Sequence, residues 1–257
     1  MSNYDNNGFN KNYDNGFGSE FGNQGTQSSH YNGAAINWND TSVMSKVMAS
    51  AFLSAGVGIL ISVITAVITA LNINAMYTVY TMFAPLAIVE IVLVLAASFA
   101  ISKRNVVVSG ICYIGYALIN GATLSFIFYA YNLGSIVAIF AVTVFMFFAM
   151  AAFAMFTKID FTGFAPYLSI GLFAIIIVSM INIFVGNTFV DMLISIVAVV
   201  LFIGITIFDI QKIMNYSVGL EPTAKNLAMI GIMGGMEIYL DFINIFLRLL
   251  RLFAKER

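Results

Sequence analysis

Few side chains in this sequence can do chemistry, and they are the ionisable groups set inside long apolar runs. Glu90, Asp209, Glu237 and Asp241 each lie within such a stretch. At mid-bilayer an ionisable side chain costs about 2.5 to 3.5 kcal/mol on insertion scales, so each needs a partner, a proton or a wet path. Asp241, Asn244 and Arg248 follow Glu237 at offsets of 4, 7 and 11. That spacing places all four on one helical stripe, with Ile238, Leu240, Ile243, Phe246 and Leu247 expected on the opposite face. A helix with such a stripe requires protein or water around it, which points to a central position. Two readings of these residues stay open. The stripe can be interhelical hydrogen-bond glue, with Glu237 favoured by a helix start and Arg248 snorkelling to a headgroup. Glu90 can be neutralised by a proton or by a Ser/Thr partner. The other reading is that they line a route for ions or protons.

The surrounding elements follow from composition. Of 257 residues, 61% are hydrophobic and 9% charged, too few charges to keep a soluble globule of this size wet. A soluble enzyme is excluded. The 11 basic and 12 acidic residues give a net charge of -1, so there is no basic footprint for nucleic acid. A single cysteine, Cys112, and a single histidine, His30, exclude an internal disulfide framework and argue against a Cys/His metal centre.

Residues 1–45 read as a disordered tail rich in Asn, Gly and spaced aromatics such as Tyr4, Phe9 and Tyr13. Beyond it, crossing a hydrocarbon core about 30 Å thick takes about 20 apolar residues at 1.5 Å each. Seven runs meet that length: 47–71, 79–101, 106–131, 136–156, 166–185, 192–214 and 227–253. Short breaks between them predict an all-α bundle of seven transmembrane helices with the last one central. Strand-type alternation is missing, which excludes a transmembrane β-barrel. Lys46, Lys103, Arg104, Lys158, Lys212 and Lys225 fall on one side of this topology, so the tail and these loops are expected to face the cytoplasm. Arg248, Arg251, Lys255 and Arg257 conflict with that bias. Either the last run crosses completely, the favoured arrangement, or it is partly re-entrant.

Three segments resemble the Bax inhibitor-1 family. The stretch 239–251, Tyr-Leu-Asp-Phe-Ile-Asn-Ile-Phe-Leu-Arg-Leu-Leu-Arg, looks like the family's closing helix. Residues 116–125 are similar to its third helix, and Phe208-Asp209-Ile210-Gln211-Lys212-Ile213 to the end of its sixth. The resemblance covers about residues 45–253. It implies a seven-helix fold with a central last helix, and a function in pH-sensitive calcium leak. It further implies that Asp209 and Asp241 share a proton as the pH sensor, and that a basic residue near the end of helix two, Lys103 or Arg104, locks the closed state. Some bacterial members instead modulate a membrane-bound AAA protease, and eukaryotic ones suppress cell death. The Lys-rich C-terminus of the eukaryotic type has no counterpart here, which favours a bacterial cell membrane as the location.

Two carboxyls in contact cannot both ionise cheaply, so they titrate as a unit. A shared proton would tie helices six and seven together, and its loss would part them. Carboxylate oxygens are hard ligands that attract Ca²⁺, but too few stand here for a tight metal site. The expected function is therefore a pH-sensitive calcium leak channel or exchanger, with the bilayer, H⁺ and permeating Ca²⁺ as its partners and no cofactor. The rival is a non-conducting modulator of a membrane-bound AAA protease or another membrane complex. An intramembrane aspartyl protease is not expected, because Asp209 follows Phe208 and Asp241 follows Leu240 rather than the Tyr-Asp and Gly-x-Gly-Asp pairs of that class. For the two aspartates to meet, the last run must enter the membrane late, near Gly235, with residues 226–234 interfacial.

Overall fold

The computed structural model describes residues 38–217, 221 and 223–255. The expected tail lies outside these residues as far as position 37, and from Trp38 the chain is already helical. Among the described residues there are nine α-helices: α1 (Trp38–Leu71), α2 (Ile73–Thr81), α3 (Phe83–Ser102), α4 (Val106–Leu124), α5 (Ile127–Ala130), α6 (Leu133–Phe156), α7 (Ala165–Val185), α8 (Thr188–Tyr216) and α9 (Ala224–Phe253). A 3₁₀ turn, Thr162–Phe164, leads into α7. Seven segments of the described residues are long and apolar enough to cross a membrane: Ser42–Leu71, Phe83–Ser102, Val106–Ala130, Leu133–Phe156, Thr162–Val185, Thr188–Tyr216 and Ala224–Phe253. The chain is an all-α integral membrane bundle.

Asparagine begins four of these helices. The side chains of Asn72, Asn105, Asn132 and Asn187 each accept from one or two backbone N–H groups of the first turn of α2, α4, α6 and α8. Thr223 does the same for α9. Each cap satisfies donors that a helix start leaves without an intrahelical acceptor. Gly186 closes α7 in the left-handed region, at φ 66°, where a residue without Cβ carries no steric cost.

Two expected runs are divided. Run 79–101 is interrupted at Met82, where α2 stops and α3 begins. Pro85 lies in the first turn of α3, the one part of a helix where a missing N–H breaks no intrahelical bond. Run 106–131 changes from α4 to the short α5 after Leu124.

The last helix is central. In the most apolar window of α9, 72% is buried, against 11% for the equivalent window of α7. Small residues let α1 and α9 approach. A Cβ at Gly231 would lie 2.2 Å from Ser50 Oγ, and one at Gly235 would lie 2.5 Å from Ser54 Cβ. Residues 50 to 54 of α1 thus meet residues 231 to 235 of α9 in the same order, so the two helices run parallel. Ser50 Oγ donates to the Leu227 carbonyl at 2.9 Å along the same seam. Further along α1, a Cβ at Gly121 of α4 would lie 2.5 Å from the Ser62 carbonyl oxygen. Where lipid provides no hydrophobic drive between helices, such close backbone contact supplies the packing.

α9 crosses the whole bundle. Arg251 in its last turn reaches Asp191 in the first turn of α8 at 2.7 Å, and the Lys255 carbonyl accepts from Asn132 N at the start of α6. Its C-terminal end therefore lies at the face holding the starts of α6 and α8, and the re-entrant alternative does not occur. The helix is continuous from Ala224 through Gly235. The depth conflict is resolved by overhang. Gly234 packs against Ile213 near the end of α8, so the first two turns of α9 extend beyond α8 and lie along α1. The expected faces of α9 also need correction. Leu240 and Leu247 are half-buried on the same side as Glu237 and Asn244, because each lies three residues past one of them and so falls on the same side of the helix.

Candidate functional site

The site is built where α8 meets α9. Asp209 lies two turns before the end of α8 and Asp241 near the middle of α9, and the two helices run antiparallel through this contact. Both side chains are buried, at 8% and 4% exposure. Their carboxyls face each other within side-chain hydrogen-bonding reach. Thr206, one turn before Asp209 on the same face of α8, also reaches Asp241. Its hydroxyl donates to the Phe202 carbonyl at 2.7 Å. Asp241 Oδ2 is buried and meets no hydrogen-bond donor among the described residues. A buried carboxylate oxygen without a donor is costly, so it needs a proton or an ion.

A second charged pair stands one turn away. Lys212 Nζ donates to Glu237 Oε1 at 2.5 Å, with side-chain exposures of 30% and 21%. The Lys212 ammonium also lies over the Phe208 ring, 6.0 Å from its centroid. Glu237 and Lys212 both act electrostatically on Asp209. Five polar groups from two helices thus converge: Thr206, Asp209 and Lys212 from α8, Glu237 and Asp241 from α9. No group of three or more His, Cys, Asp or Glu side chains close enough to hold a metal ion occurs among the described residues.

The other residues singled out in the sequence are placed elsewhere. Asn244 turns back on its own helix, Nδ2 donating to the Leu240 carbonyl at 2.8 Å. Arg248 is half-buried toward the far end of α9, within electrostatic reach of Arg251 and Asp191. Glu90 is half-buried on α3 and accepts from Thr123 Oγ1 of α4 at 2.9 Å, so it faces protein rather than lipid alone. Lys103 ends α3 with its ammonium 5.7 Å from the Phe99 ring centroid, and Arg104 follows with φ 53°. The cation beside Asp209 is instead Lys212, and the sequence did carry a signal for it. Lys212 stands three residues after Asp209 and Glu237 four before Asp241, offsets that coincide in space once the two helices are antiparallel.

The opposite face of α9 holds a polar network that sequence reasoning missed. Tyr239 is fully buried, and its hydroxyl pairs with Ser62 Oγ at 2.6 Å and accepts from Asn120 Nδ2 at 2.7 Å. Ser62 Oγ also donates to the Ala117 carbonyl at 2.7 Å. Tyr113 and Tyr116 close the cage edge-on, 5.8 and 5.7 Å from the Tyr239 ring. These contacts join α1, α4 and α9, three elements distant in sequence, so spacing alone could not pair them.

Comparison with known proteins agrees with this architecture. The family described as inhibitor of apoptosis-promoting Bax1 matches residues 44–257. The inner membrane protein YbhL of Escherichia coli K12 is 35% identical over 173 residues, covering 67% of this chain and 74% of its own. A Borreliella burgdorferi protein without an assigned function is 33% identical over 218 residues, covering 84% of this chain and 94% of its own. A Streptococcus pyogenes serotype M3 membrane protein is 32% identical over 173 residues, 66% of this chain and 73% of its own. With relatives of this kind matched along most of their length, and a family match that runs from within the first transmembrane helix through the last, the chain belongs to the Bax inhibitor-1 family.

Proposed function

We propose that this protein is a pH-sensitive calcium leak pathway in a bacterial membrane, gated by Asp209 and Asp241. The observation that carries this reading is the buried contact of two carboxyls from α8 and α9, with Oδ2 of Asp241 left without a donor among the described residues. One proton shared across the pair turns one carboxyl into the donor the other lacks, and the bridge then holds α8 to α9. When that proton leaves, two like charges remain at close range in a poorly solvated site, and their repulsion favours separation of the helices. The separated carboxylates form an acidic, hydrated path. Their hard oxygens attract Ca²⁺ without the ligand number needed to retain it, which suits flux rather than storage.

The chain in this reading is a conductor rather than an enzyme and takes no cofactor. The face with Lys103, Arg104 and Lys158 is the cytoplasmic one by the positive-inside rule. The Lys103 or Arg104 lock implied by the family resemblance has less support than Lys212, which acts directly on Asp209. A second reading, a non-conducting modulator of a membrane-bound AAA protease or another membrane complex, draws on the same clasp. Liposomes containing only the purified protein separate the two. The leak reading expects calcium entry above protein-free liposomes, faster as pH rises. Entry no faster than in protein-free liposomes at every pH would leave the modulator.

A further inference from the structure

The mechanism above leaves the Lys212–Glu237 ion pair unused. It joins the same two helices as the aspartates, one turn nearer the α8–α9 connection, and is only partly shielded from water. Glu237 Oε2 is buried and has no hydrogen-bond partner among the described residues, so Lys212 holds that carboxylate through one oxygen only. The charged groups acting on Asp209 are Glu237 and Lys212, together with its hydrogen-bonding neighbour Asp241; those acting on Asp241 are Asp209 and Glu237. The Tyr216 hydroxyl lies near Lys212, Glu237 and Asp209.

The helices packed around this cluster add little charge. α4, α6 and α7 contain no Asp, Glu, Lys or Arg along their lengths. α4 contributes Tyr113 and Tyr116 on the opposite face of α9, against Tyr239. α1 presents Ala51 and Ser54 to Gly234 and Gly235, and its Lys46 is exposed. Glu90 of α3 is engaged by Thr123. The charged neighbours of the aspartate pair are thus one cation and one anion, which act on Asp209 in opposite senses.

We propose that Lys212 and Glu237 are positioning residues that form a second clasp between α8 and α9 and set the pH at which the aspartate pair releases its proton. This rests on the gating reading above and adds the element that tunes it. The two charges act in opposite senses. Without the Lys212 charge, the unpaired Glu237 carboxylate repels a charged Asp209–Asp241 pair, so the pair keeps its proton to higher pH. Without the Glu237 charge, the unpaired Lys212 ammonium favours the charged pair, which then lets go at lower pH. A purely mechanical clasp has no such asymmetry, since losing either half loosens the same contact.

The test is the pH profile of calcium entry into proteoliposomes for the wild type, Lys212→Met, Glu237→Gln, the conservative Lys212→Arg, and the exchanged Lys212→Glu/Glu237→Lys chain. The midpoint is expected to rise by about one pH unit in Lys212→Met and to fall by about one in Glu237→Gln, the scale of one added charge at this range in a partly shielded site. Lys212→Arg and the exchanged pair are expected to return toward the wild-type midpoint. Shifts in the same direction, or no shift in either single variant, would overturn the clasp while leaving the aspartate gate standing. A single variant that does not insert leaves Lys212→Arg and the exchanged pair to decide, and an exchanged pair that keeps a displaced midpoint would also overturn it. A wild type whose calcium entry ignores pH would instead contradict the gate and this inference together.

Discussion

Asp241 has the strongest need of a shared proton, because its Oδ2 is buried with no donor among the described residues. Replacing either aspartate with alanine removes the bridge as well as the charge. Hydrogen bonds to charged groups contribute about 1.5 to 3 kcal/mol, enough to move a two-state gate by an order of magnitude or more. Asp209→Ala and Asp241→Ala are therefore expected to raise calcium entry at low pH by about tenfold, measured in proteoliposomes held below the wild-type midpoint. Tyr239 makes a separate claim, about stability. Tyr239→Phe leaves the buried Asn120 amide without its acceptor, while Ser62 keeps its bond to the Ala117 carbonyl. The expected cost is about 1 to 3 kcal/mol. It is read as a lower thermal midpoint in detergent, by about 2–4 °C for each kcal/mol. The residue types of the site were legible in the sequence, since carboxylates in apolar runs stand out. Their partners were less so, because the offset signal of Lys212 gains meaning, and Thr206 stands out, only once α8 and α9 are set side by side.

At the scale of elements, packing depends on where a Cβ has no room. Gly121→Ala would press a methyl group against the Ser62 backbone, which cannot give way as a flexible side chain can. A loss of about 1 to 3 kcal/mol is expected. Gly56 is the control, with nothing within 4 Å of its missing Cβ. Gly56→Ala should stabilise α1 by roughly 0.5 to 1 kcal/mol, through the lower backbone entropy of alanine in the unfolded chain. Thermal midpoints of the two variants in one detergent check both signs at once. If Gly121→Ala were neutral, the close approach of α1 and α4 would be wrong. Element boundaries were partly legible. Each Asn cap stands at the start of a helix, and Pro85 signals that a helix starts just before it. The overhang of α9 beyond α8 was not legible, because run length alone does not reveal which neighbour a helix end packs on.

At the scale of the whole molecule, seven crossings and a central last helix follow from run lengths and from the polar residues of α9. The parallel pairing of α1 with α9 does not follow from them, since helices distant in sequence are matched through small residues scattered along both. That pairing frees one face of α9 for α8, and with it the meeting of Asp209 and Asp241. In the proposed mechanism these two carboxyls share one proton, and its loss opens the path. The most direct measurement is the initial rate of calcium entry into proteoliposomes as a function of pH, for the wild type, Asp209→Asn, Asp241→Asn and the double variant. Asparagine keeps size and hydrogen bonding but cannot release a proton, so the expected rate rises with pH in the wild type and the response is flattened in all three variants. The double variant should match either single one, because the pair acts as a unit. A wild-type pH response retained in both single variants would contradict the shared proton and place the sensor elsewhere.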